Sequence, residues 1–269
     1  MPELPEVQTV VDSLSPALVG RRIVTVQLHR RDIVTPPGID LAAYLTGRSV
    51  RAIDRRAKRI VFTLDNAERF YMHLGMSGRL MLAADHEQIA KHTHLQLRFD
   101  NGAELRFFDP RRFGGIWWLG LTPDDDRLGP EPLGLCATEL AARLARTKRV
   151  IKSALLDQSL IAGLGNIYVD ESLFGAGVHP LLRADRLTPA QVAALIRSIK
   201  ATLRRALNHR GSTLRDYRDA NGDSGNFQRL HRVYGREGQP CRKCRAAIVR
   251  IVVGGRSTHF CQVCQKPVK

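Results

Sequence analysis

The amino terminus carries the first residues able to do covalent chemistry. The chain opens with Met1-Pro2-Glu3-Leu4-Pro5-Glu6. Because proline is small, an aminopeptidase is expected to remove Met1 and leave Pro2 with a free secondary amine. Such an amine attacks aldehyde-like carbons and forms an iminium ion, and the carboxylate of Glu3 follows within reach. The same residues suit the first turn of a helix, where proline needs no N–H partner and acids complement the helix dipole. Taken alone they favour the helix start, so the rest of the chain has to decide.

Four of the five cysteines stand in two close pairs near the carboxyl terminus, Cys241-x2-Cys244 and Cys261-x2-Cys264, with sixteen residues between the pairs. Each pair places two thiolates on a tight turn, and two such turns complete the tetrahedral site of a structural zinc ion. Apolar runs on both sides of Gly254-Gly255 predict a β-hairpin between the pairs. Arg256 follows that turn, where either a solvated arginine or an outward-facing functional group fits. The spacing therefore predicts a zinc ribbon with one structural Zn2+.

Two turns between predicted strands combine residue types that can contact nucleic acid. The turn Asp109 to Gly114 contains Arg111 and Phe113. A guanidinium can bind a base edge or a phosphate, and an aromatic ring can wedge into a base stack. The turn His73 to Gly78 places Met76 between glycines, where a packed methionine is the more common arrangement.

Three further positions could bind an anion. Lys58 lies in the basic run Arg55 to Arg59, which as a solvated cluster would bind phosphate at most. Asn166 follows Gly163-Leu164-Gly165 at a predicted helix start, where backbone N–H groups can hold a phosphate. His92 and His94 flank a strand start and could contact phosphate or simply cap the strand.

The charge balance indicates a polyanionic partner. The 269 residues include 42 Lys and Arg against 26 Asp and Glu, a net charge of +16, and the sequence pI is near 10.4. Nucleic acid is the commonest polyanion, and no basic amphipathic helix with an aromatic face supports a membrane surface instead. No run approaches the ~18 apolar residues of a membrane span. The amino terminus lacks a signal-peptide pattern, and the clustered cysteines suit a reducing compartment, so we expect a cytoplasmic protein.

Hydrophobic periodicity predicts an α+β protein of several domains. Residues 5–19 have helical spacing, and residues 22–119 form many short alternating runs typical of an antiparallel sandwich or barrel. Helical spacing returns over the ranges 138–146, 151–157, 166–175 and 189–209. Thr188-Pro189 marks a helix start, with Thr188 as the cap.

Composition also predicts where the modules meet. The Pro-, Gly- and Asp-rich stretch 121–135 indicates a linker. We expect domains at 1–130, 131–232 and 233–269: a helix with a β-sandwich, a helical domain and the zinc ribbon. Residues 217–227 are expected to form a mobile loop.

Taken together, these residues resemble the bacterial formamidopyrimidine-DNA glycosylases, the 8-oxoguanine DNA glycosylase/AP lyases of the helix–two-turns–helix family. The resemblance covers the chain from Met1 to the last zinc cysteine. It implies a helix and antiparallel sandwich, a helix–two-turns–helix domain and a zinc finger. It implies base excision repair of oxidised purines in duplex DNA, with strand cleavage by β,δ-elimination, by a monomer. Leu4 distinguishes the chain from the related endonuclease VIII branch, which usually has glycine there.

The same resemblance implies the role of each candidate residue. The catalytic residues are Pro2 as the nucleophile and Glu3 as the general acid at the sugar. With them act Lys58, which contacts phosphate and assists elimination, and Arg256, which holds the phosphates flanking the flipped nucleotide. The residues that fill the void left by the extruded base are Met76, Arg111 and Phe113. The remaining DNA contacts are assigned to His92, Lys148, Lys152, Asn166 and Tyr234. The loop 217–227 corresponds to one that covers the flipped lesion.

Two other functions fit parts of the pattern. An endonuclease VIII-like enzyme for oxidised pyrimidines would share the scaffold, but Leu4 and the void-filling residues oppose it. A non-catalytic DNA-binding zinc-ribbon protein would not need Pro2, Glu3 and Lys58 together.

Overall fold

The structure is a computed structural model that describes residues 1–83, 87–122 and 127–267. The chain divides into two compact units, one of residues 1–125 and 209–226, the other of residues 126–208 and 227–269. Residues 123–126 of the predicted linker lie outside the described ranges. No helix in those ranges is long and apolar enough to cross a membrane.

The first unit begins with helix α1, Leu4–Leu18, whose buried side chains recur at helical spacing. The predicted helix ran one residue further: Val19 is the extended cap residue and is 40% exposed. Gly20 follows with a φ of +81°, a left-handed conformation that glycine adopts without strain. A short helix α2, Leu41–Leu45, was not predicted, because five residues are too few to show a helical period.

In the described part of this unit, nine strands follow α1: β1 Ile23–Leu28, β2 Val34–Thr35, β3 Val50–Arg56, β4 Arg59–Leu64, β5 Arg69–His73, β6 Arg79–Ala83, β7 Thr93–Phe99, β8 Glu104–Phe108 and β9 Gly115–Gly120. They form a four-stranded sheet in the order β1-β7-β8-β6 and a five-stranded sheet in the order β2-β9-β5-β4-β3. All pairs are antiparallel except β2 with β9. Side chains of both sheets and of α1 share one hydrophobic core, which confirms the predicted sandwich with its leading helix.

Among its described residues, the second unit contains four α-helices: α3 Ala137–Ala145, α4 Ile151–Leu156, α5 Asn166–Ala176 and α6 Pro189–Asn208. Thr188 caps α6 as predicted, because its hydroxyl accepts the Gln191 N–H at 3.2 Å and the Gln191 side chain accepts the Thr188 N–H at 2.9 Å. The predicted hairpin is β10 Val249–Val253 with β11 Arg256–Phe260, and it packs against α5.

Residues 209–226 pack with the first unit although the sequence places them after α6. The Ala220 N–H donates to the Ser13 hydroxyl at 3.1 Å, and the Leu82 N–H donates to the Ala220 carbonyl at 2.9 Å. The three-domain division at residues 130 and 232 stays a prediction.

Candidate active site and nucleic-acid interface

The predicted site residues divide between the two units. The first unit holds Pro2, Glu3, Lys58, Met76, His92, Arg111 and Phe113. The second unit holds Lys148, Lys152, Asn166, Tyr234, Arg256 and the four paired cysteines. Each group is described within its own unit.

The head of α1 is buried, which is unusual for an amino terminus. Pro2 is buried and Glu3 is 3% exposed, whereas Met1 is 53% exposed. The Glu3 N–H donates to Glu6 Oε2 at 2.8 Å, and the Glu3 carbonyl accepts the Val7 N–H at 3.0 Å. The sequence Pro-Glu-Leu-Pro-Glu thus forms a helix start, and the helix holds Pro2 and Glu3 in fixed positions.

Glu6 connects this helix start to residues 209–226. Its second oxygen, Oε1, accepts the Ser212 N–H at 2.7 Å, and its backbone carbonyl accepts the Tyr217 hydroxyl at 3.2 Å. Burial and the negative charge of Glu6 raise the pKa of Tyr217, so the phenol stays protonated and donates. The segment expected to cover the lesion is therefore bonded to the first turn of the helix that follows Pro2 and Glu3.

Lys58 lies in the two-residue turn between β3 and β4, where Arg56 pairs with Arg59. Ala57, the first turn residue, has a φ of +54°, which few non-glycine residues adopt. Lys58 is 7% exposed, so this is a buried turn rather than a solvated cluster. Helix α1 packs against both strands, and the Arg55 Nε donates to the Gln8 side chain at 3.0 Å. Helix α1, which follows Pro2 and Glu3, is therefore joined to the strands that flank Lys58.

His73 is a candidate that sequence reasoning did not single out. Burial and then the positive charges of Lys58 and Arg59 lower the pKa of His73 to about 4. Its Nδ1 accepts the Gly75 N–H at 3.1 Å, so the proton of the neutral ring lies on Nε2, which is a donor. The available signal was its place beside the Met76 turn, but histidine in a strand is more often structural.

A buried carboxylate joins the two turns that carry Met76, Arg111 and Phe113. Asp109 is fully buried. Its Oδ1 accepts the Ser77 hydroxyl at 2.6 Å and the Arg111 N–H at 3.3 Å, and its Oδ2 accepts the Gly114 N–H at 2.8 Å. One side chain thus bonds residues of both turns, which is an arrangement that rigidifies a loop pair.

Gly75 lets the same two turns touch backbone to backbone. A Cβ at this position would lie 2.5 Å from the Gly114 nitrogen and 2.6 Å from the Phe113 carbonyl oxygen. Met76 and Phe113 remain 43% and 54% exposed, and the Arg111 guanidinium lies 4.8 Å from the Phe113 ring centroid. The structure therefore brings these three residues together as an exposed cluster on a rigid base.

The two histidines near β7 have different surroundings. His92 is exposed, has a φ of +74°, and its carbonyl accepts the Asp109 N–H at 3.1 Å. His94 is 4% exposed, and its Nε2 donates to the Asp109 carbonyl at 2.8 Å. His92 thus lies beside the void-filling turns, whereas His94 is a structural residue.

The four paired cysteines of the second unit converge. Their Sγ atoms all lie within 4.8 Å of one another, with Cys241–Cys264 at 3.9 Å and Cys244–Cys261 at 3.4 Å. Tetrahedral zinc with Zn–S bonds of about 2.3 Å requires Sγ–Sγ distances of about 3.8 Å. The donor set therefore fits one structural Zn2+, as predicted.

Arg256 begins β11 directly after the Gly254-Gly255 turn, where it pairs with Val253, and its side chain is exposed. Both turn glycines have positive φ, which makes this a tight two-residue hairpin. Asn166, the first residue of α5, donates from Nδ2 to the Ser257 carbonyl at 2.8 Å. Asn166 and the residue after Arg256 are therefore in direct contact.

Lys152, expected to be a DNA contact, lies in the interior of the second unit. The side chain is fully buried, and its ammonium lies 2.5 Å from Asp170 Oδ1. Position 152 faces α5 because the helical register of α4 directs it inward, which a single lysine in a short basic stretch does not reveal. The structure thus presents Lys152 as one half of a buried ion pair. Its neighbour Lys148 is exposed.

Tyr234 is half-buried beside α5. Its N–H donates to Glu171 Oε1 at 2.9 Å, and the same carboxylate accepts the N–H groups of Arg232 and Val233. The tyrosine ring lies 5.0 Å from the His259 ring, centroid to centroid, at 63°. The segment that carries Tyr234 is therefore held by one buried acid.

The sandwich with a buried amino-terminal proline, the helical module and the four-cysteine hairpin define the class of helix–two-turns–helix DNA glycosylases. Three family models match: the formamidopyrimidine-DNA glycosylase N-terminal domain over residues 1–116, the H2TH domain over 128–218, and the zinc finger found in FPG and IleRS over 238–267.

Full-length relatives and solved structures agree. The chain is 47% identical to the formamidopyrimidine-DNA glycosylase of Herpetosiphon aurantiacus, over 98% of this chain and all of the relative. It is 44% identical to the enzyme of Laribacter hongkongensis, over 99% of this chain and all of the relative. Two Lactococcus lactis Fpg structures, a mutant with Fapy-dG containing DNA and a complex with abasic site containing DNA, each superpose with a TM-score of 0.92 at 35% identity. They cover 99% and 98% of this chain, respectively, and all of the matched chains. The chain belongs to the formamidopyrimidine-DNA glycosylase family.

Proposed function

We propose that this protein is a bifunctional DNA glycosylase/AP lyase of base excision repair that removes oxidised purines from duplex DNA. The observation that carries the proposal is the buried head of α1, where Pro2 and Glu3 are buried, the Glu3 N–H is bonded to Glu6, and the helix packs against the strands that flank Lys58. The partner is double-stranded DNA with an oxidised base or an abasic site. The protein acts as a monomer.

The reaction begins with the removal of Met1, because an acylated Pro2 nitrogen is an amide and no nucleophile. The free Pro2 amine attacks C1′ of the damaged nucleotide, the bond to the base breaks, and the base leaves with the proton that the amine releases. Glu3 then protonates O4′ as the C1′–O4′ bond breaks and the sugar ring opens. The nitrogen and C1′ then share an iminium bond, which makes the C2′ hydrogen acidic. Loss of that proton expels the 3′ phosphate, and a second elimination expels the 5′ phosphate. The cation of Lys58 stabilises the phosphate charge.

The exposed cluster of Met76, Arg111 and Phe113 supports base extrusion. A base inside a duplex cannot be reached by a protein amine, and flipping it out costs a few kcal/mol. Side chains that enter the vacated space offset part of that cost. The guanidinium of Arg111, close to the Phe113 ring, faces the base left without a partner.

The remaining cations bind the DNA backbone. The chain carries a net charge of +16, which supplies a strong and salt-dependent attraction to phosphates. We assign phosphate contacts to Arg256, Asn166, Lys148, Tyr234 and His92. The zinc ion is structural: it holds the hairpin on which Arg256 lies, and all four of its ligands are protein thiolates. Residence in the bacterial cytoplasm, at the nucleoid, is part of the proposal.

Trapping with borohydride tests this function. Borohydride reduces the iminium to a stable amine, so wild-type protein with a duplex containing 8-oxoguanine is expected to give a covalent protein–DNA adduct. A matched variant carries one inserted glutamine between Met1 and Pro2, which blocks methionine removal, adds no side-chain amine and leaves every native side chain in place. That variant is expected to bind the duplex and give no adduct. An adduct from this variant would place the nucleophile elsewhere. A wild-type protein that binds but is never trapped would make the chain a non-catalytic DNA-binding protein.

The lesion panel separates the two branches of the family. Release of 8-oxoguanine is expected to exceed release of thymine glycol under the same conditions. The reverse order would support the endonuclease VIII-like alternative.

A further inference from the structure

A buried polar chain runs through the second unit and has no role in the function proposed above. It consists of Lys152 on α4, Asp170 on α5 and His259 on β11, which are 0%, 1% and 6% exposed. Lys152 Nζ lies 2.5 Å from Asp170 Oδ1. Asp170 Oδ2 accepts the His259 backbone N–H at 2.9 Å and lies 3.2 Å from His259 Nδ1.

None of the buried side-chain polar atoms of Lys152, Asp170 and His259 lacks a hydrogen-bond partner. A carboxylate can only accept, so His259 Nδ1 carries a proton and donates it to Asp170. The ammonium of Lys152 balances the charge of Asp170 and also donates to the Asn166 carbonyl at 3.4 Å. A buried acid without such partners would destabilise the fold, so the three residues belong together as one unit.

The buried polar chain of Lys152, Asp170 and His259 ends on β11, the strand that begins with Arg256. His259 is three residues beyond Arg256 in β11 and lies opposite Arg250 in the hairpin. Asn166, one helical turn before Asp170 on α5, donates to the Ser257 carbonyl at 2.8 Å. Two side chains on one face of α5 thus hold β11 at residues 257 and 259.

We propose that Asp170 is a positioning residue that sets the place of the Arg256 guanidinium by fastening β11 to α5. Zinc closes the far end of the hairpin at Cys261 and Cys264, and the Asp170 chain holds the strand between the zinc ligands and the Gly254-Gly255 turn. Lys152 then serves DNA binding indirectly, because it pairs with the buried Asp170 that fastens β11. The inference rests on the proposed contact between Arg256 and phosphate.

The test removes both charges of the buried Lys152–Asp170 ion pair, so that no unpaired charge remains in the interior. The double variant Lys152→Met/Asp170→Asn has no unpaired ion and is expected to fold and to retain one zinc per chain. Its matched control is Arg183→Met/Asp185→Asn, which removes an ion pair of 2.6 Å on the surface of the same unit with the same change in charge. Hydrogen exchange of the β11 amides is expected to be faster in the first variant and unchanged in the control.

A double-mutant cycle with Arg256→Ala measures whether the Lys152–Asp170 pair affects DNA affinity through Arg256. Losing a hydrogen bond to a charged group weakens binding roughly 10- to 100-fold, so the Lys152→Met/Asp170→Asn variant is expected to bind an abasic-site duplex ~10- to 100-fold more weakly than wild type. In the Arg256→Ala background the same change is expected to alter Kd less than twofold, since the group that it displaces is gone.

The outcomes are distinct. A full, independent loss of affinity in the Arg256→Ala background would overturn the positioning role while leaving the Arg256 contact intact. A wild-type Kd for Arg256→Ala itself would overturn the phosphate contact, and the inference with it. Unchanged β11 exchange in the Lys152→Met/Asp170→Asn variant would show that the chain does not fasten the strand.

Discussion

The close approach of the void-filling turns makes Gly75→Ala the most informative single substitution. Gly75 has a φ of +59° and its added Cβ would lie 2.5 Å from the Gly114 nitrogen. Gly102 provides a matched control, because it also has a positive φ, +80°, and no atom lies within 4 Å of its Cβ position. Alanine at either site meets the left-handed strain, but only alanine at position 75 meets a neighbouring backbone.

The expected magnitudes follow from these two contributions. The left-handed conformation costs an L-residue roughly 1–2 kcal/mol, so Gly102→Ala is expected to lower the free energy of unfolding by that amount. Forcing a methyl group into packed backbone adds about 1–3 kcal/mol, so Gly75→Ala is expected to lose roughly 2–5 kcal/mol. The entropy that alanine removes from the unfolded chain is the same for both and cancels in the comparison.

Urea unfolding followed by tryptophan fluorescence measures the difference, and single-turnover release of 8-oxoguanine measures its effect on function. We expect Gly75→Ala to slow base release at least tenfold, because separating the turns displaces Phe113 and Met76. Gly102→Ala is expected to release the base at the wild-type rate. Equal losses of stability in the two variants would refute the backbone contact, and wild-type base release by Gly75→Ala would refute its connection to extrusion.

Three further predictions concern protonation, the metal and the DNA grip. His73 has a folded pKa of about 4 against 6.5 for a free histidine, so its contribution to stability is complete above pH 6.5 and is lost as pH falls towards 4. The urea midpoint is expected to fall between pH 7 and pH 5 by less in His73→Asn than in the wild type. An equal fall of the midpoint in both proteins would contradict this. Cys244→Ser is expected to lose zinc and DNA binding, as measured by metal content and a binding titration. Cys136→Ser, at an exposed free cysteine, is expected to keep both. Tight DNA binding by the zinc-free protein would show that the zinc ribbon is dispensable. Arg256→Ala is expected to reduce the slope of log K against log salt by about 0.9, and Arg250→Ala, an exposed arginine in the same hairpin, by much less; equal changes would argue against a specific phosphate contact.

Much of the architecture was predictable because its signals are local. Helical and alternating periodicity identified α1, the sandwich strands and the long helix α6, and the spacing of the cysteines identified the metal ligands. A two-residue strand such as β2 or a five-residue helix such as α2 has no measurable period, so neither was predicted.

Site residues were predictable only where the residues that act together are close in sequence. Residues Pro2 to Glu6 and Asp109 to Gly114 each signal their chemistry locally. By contrast, the partners of Glu6 and Asp170 lie 206 and 89 residues away in the chain, at Ser212 and His259. Lys152 is buried against Asp170, 18 residues away, and its assignment as a DNA contact by resemblance gave no sign of that partner.

The return of residues 209–226 to the first unit affects how the protein is made. A ribosome delivers the amino terminus first, but Glu6 gains its bond to Ser212 only after the whole of α6 has been synthesised. The first unit therefore cannot reach its final form during translation of residues 1–125. The first unit is completed late in synthesis, after helices α3 to α6 have left the ribosome. A chain that ends before residue 212 would lack the bond between Glu6 and Ser212.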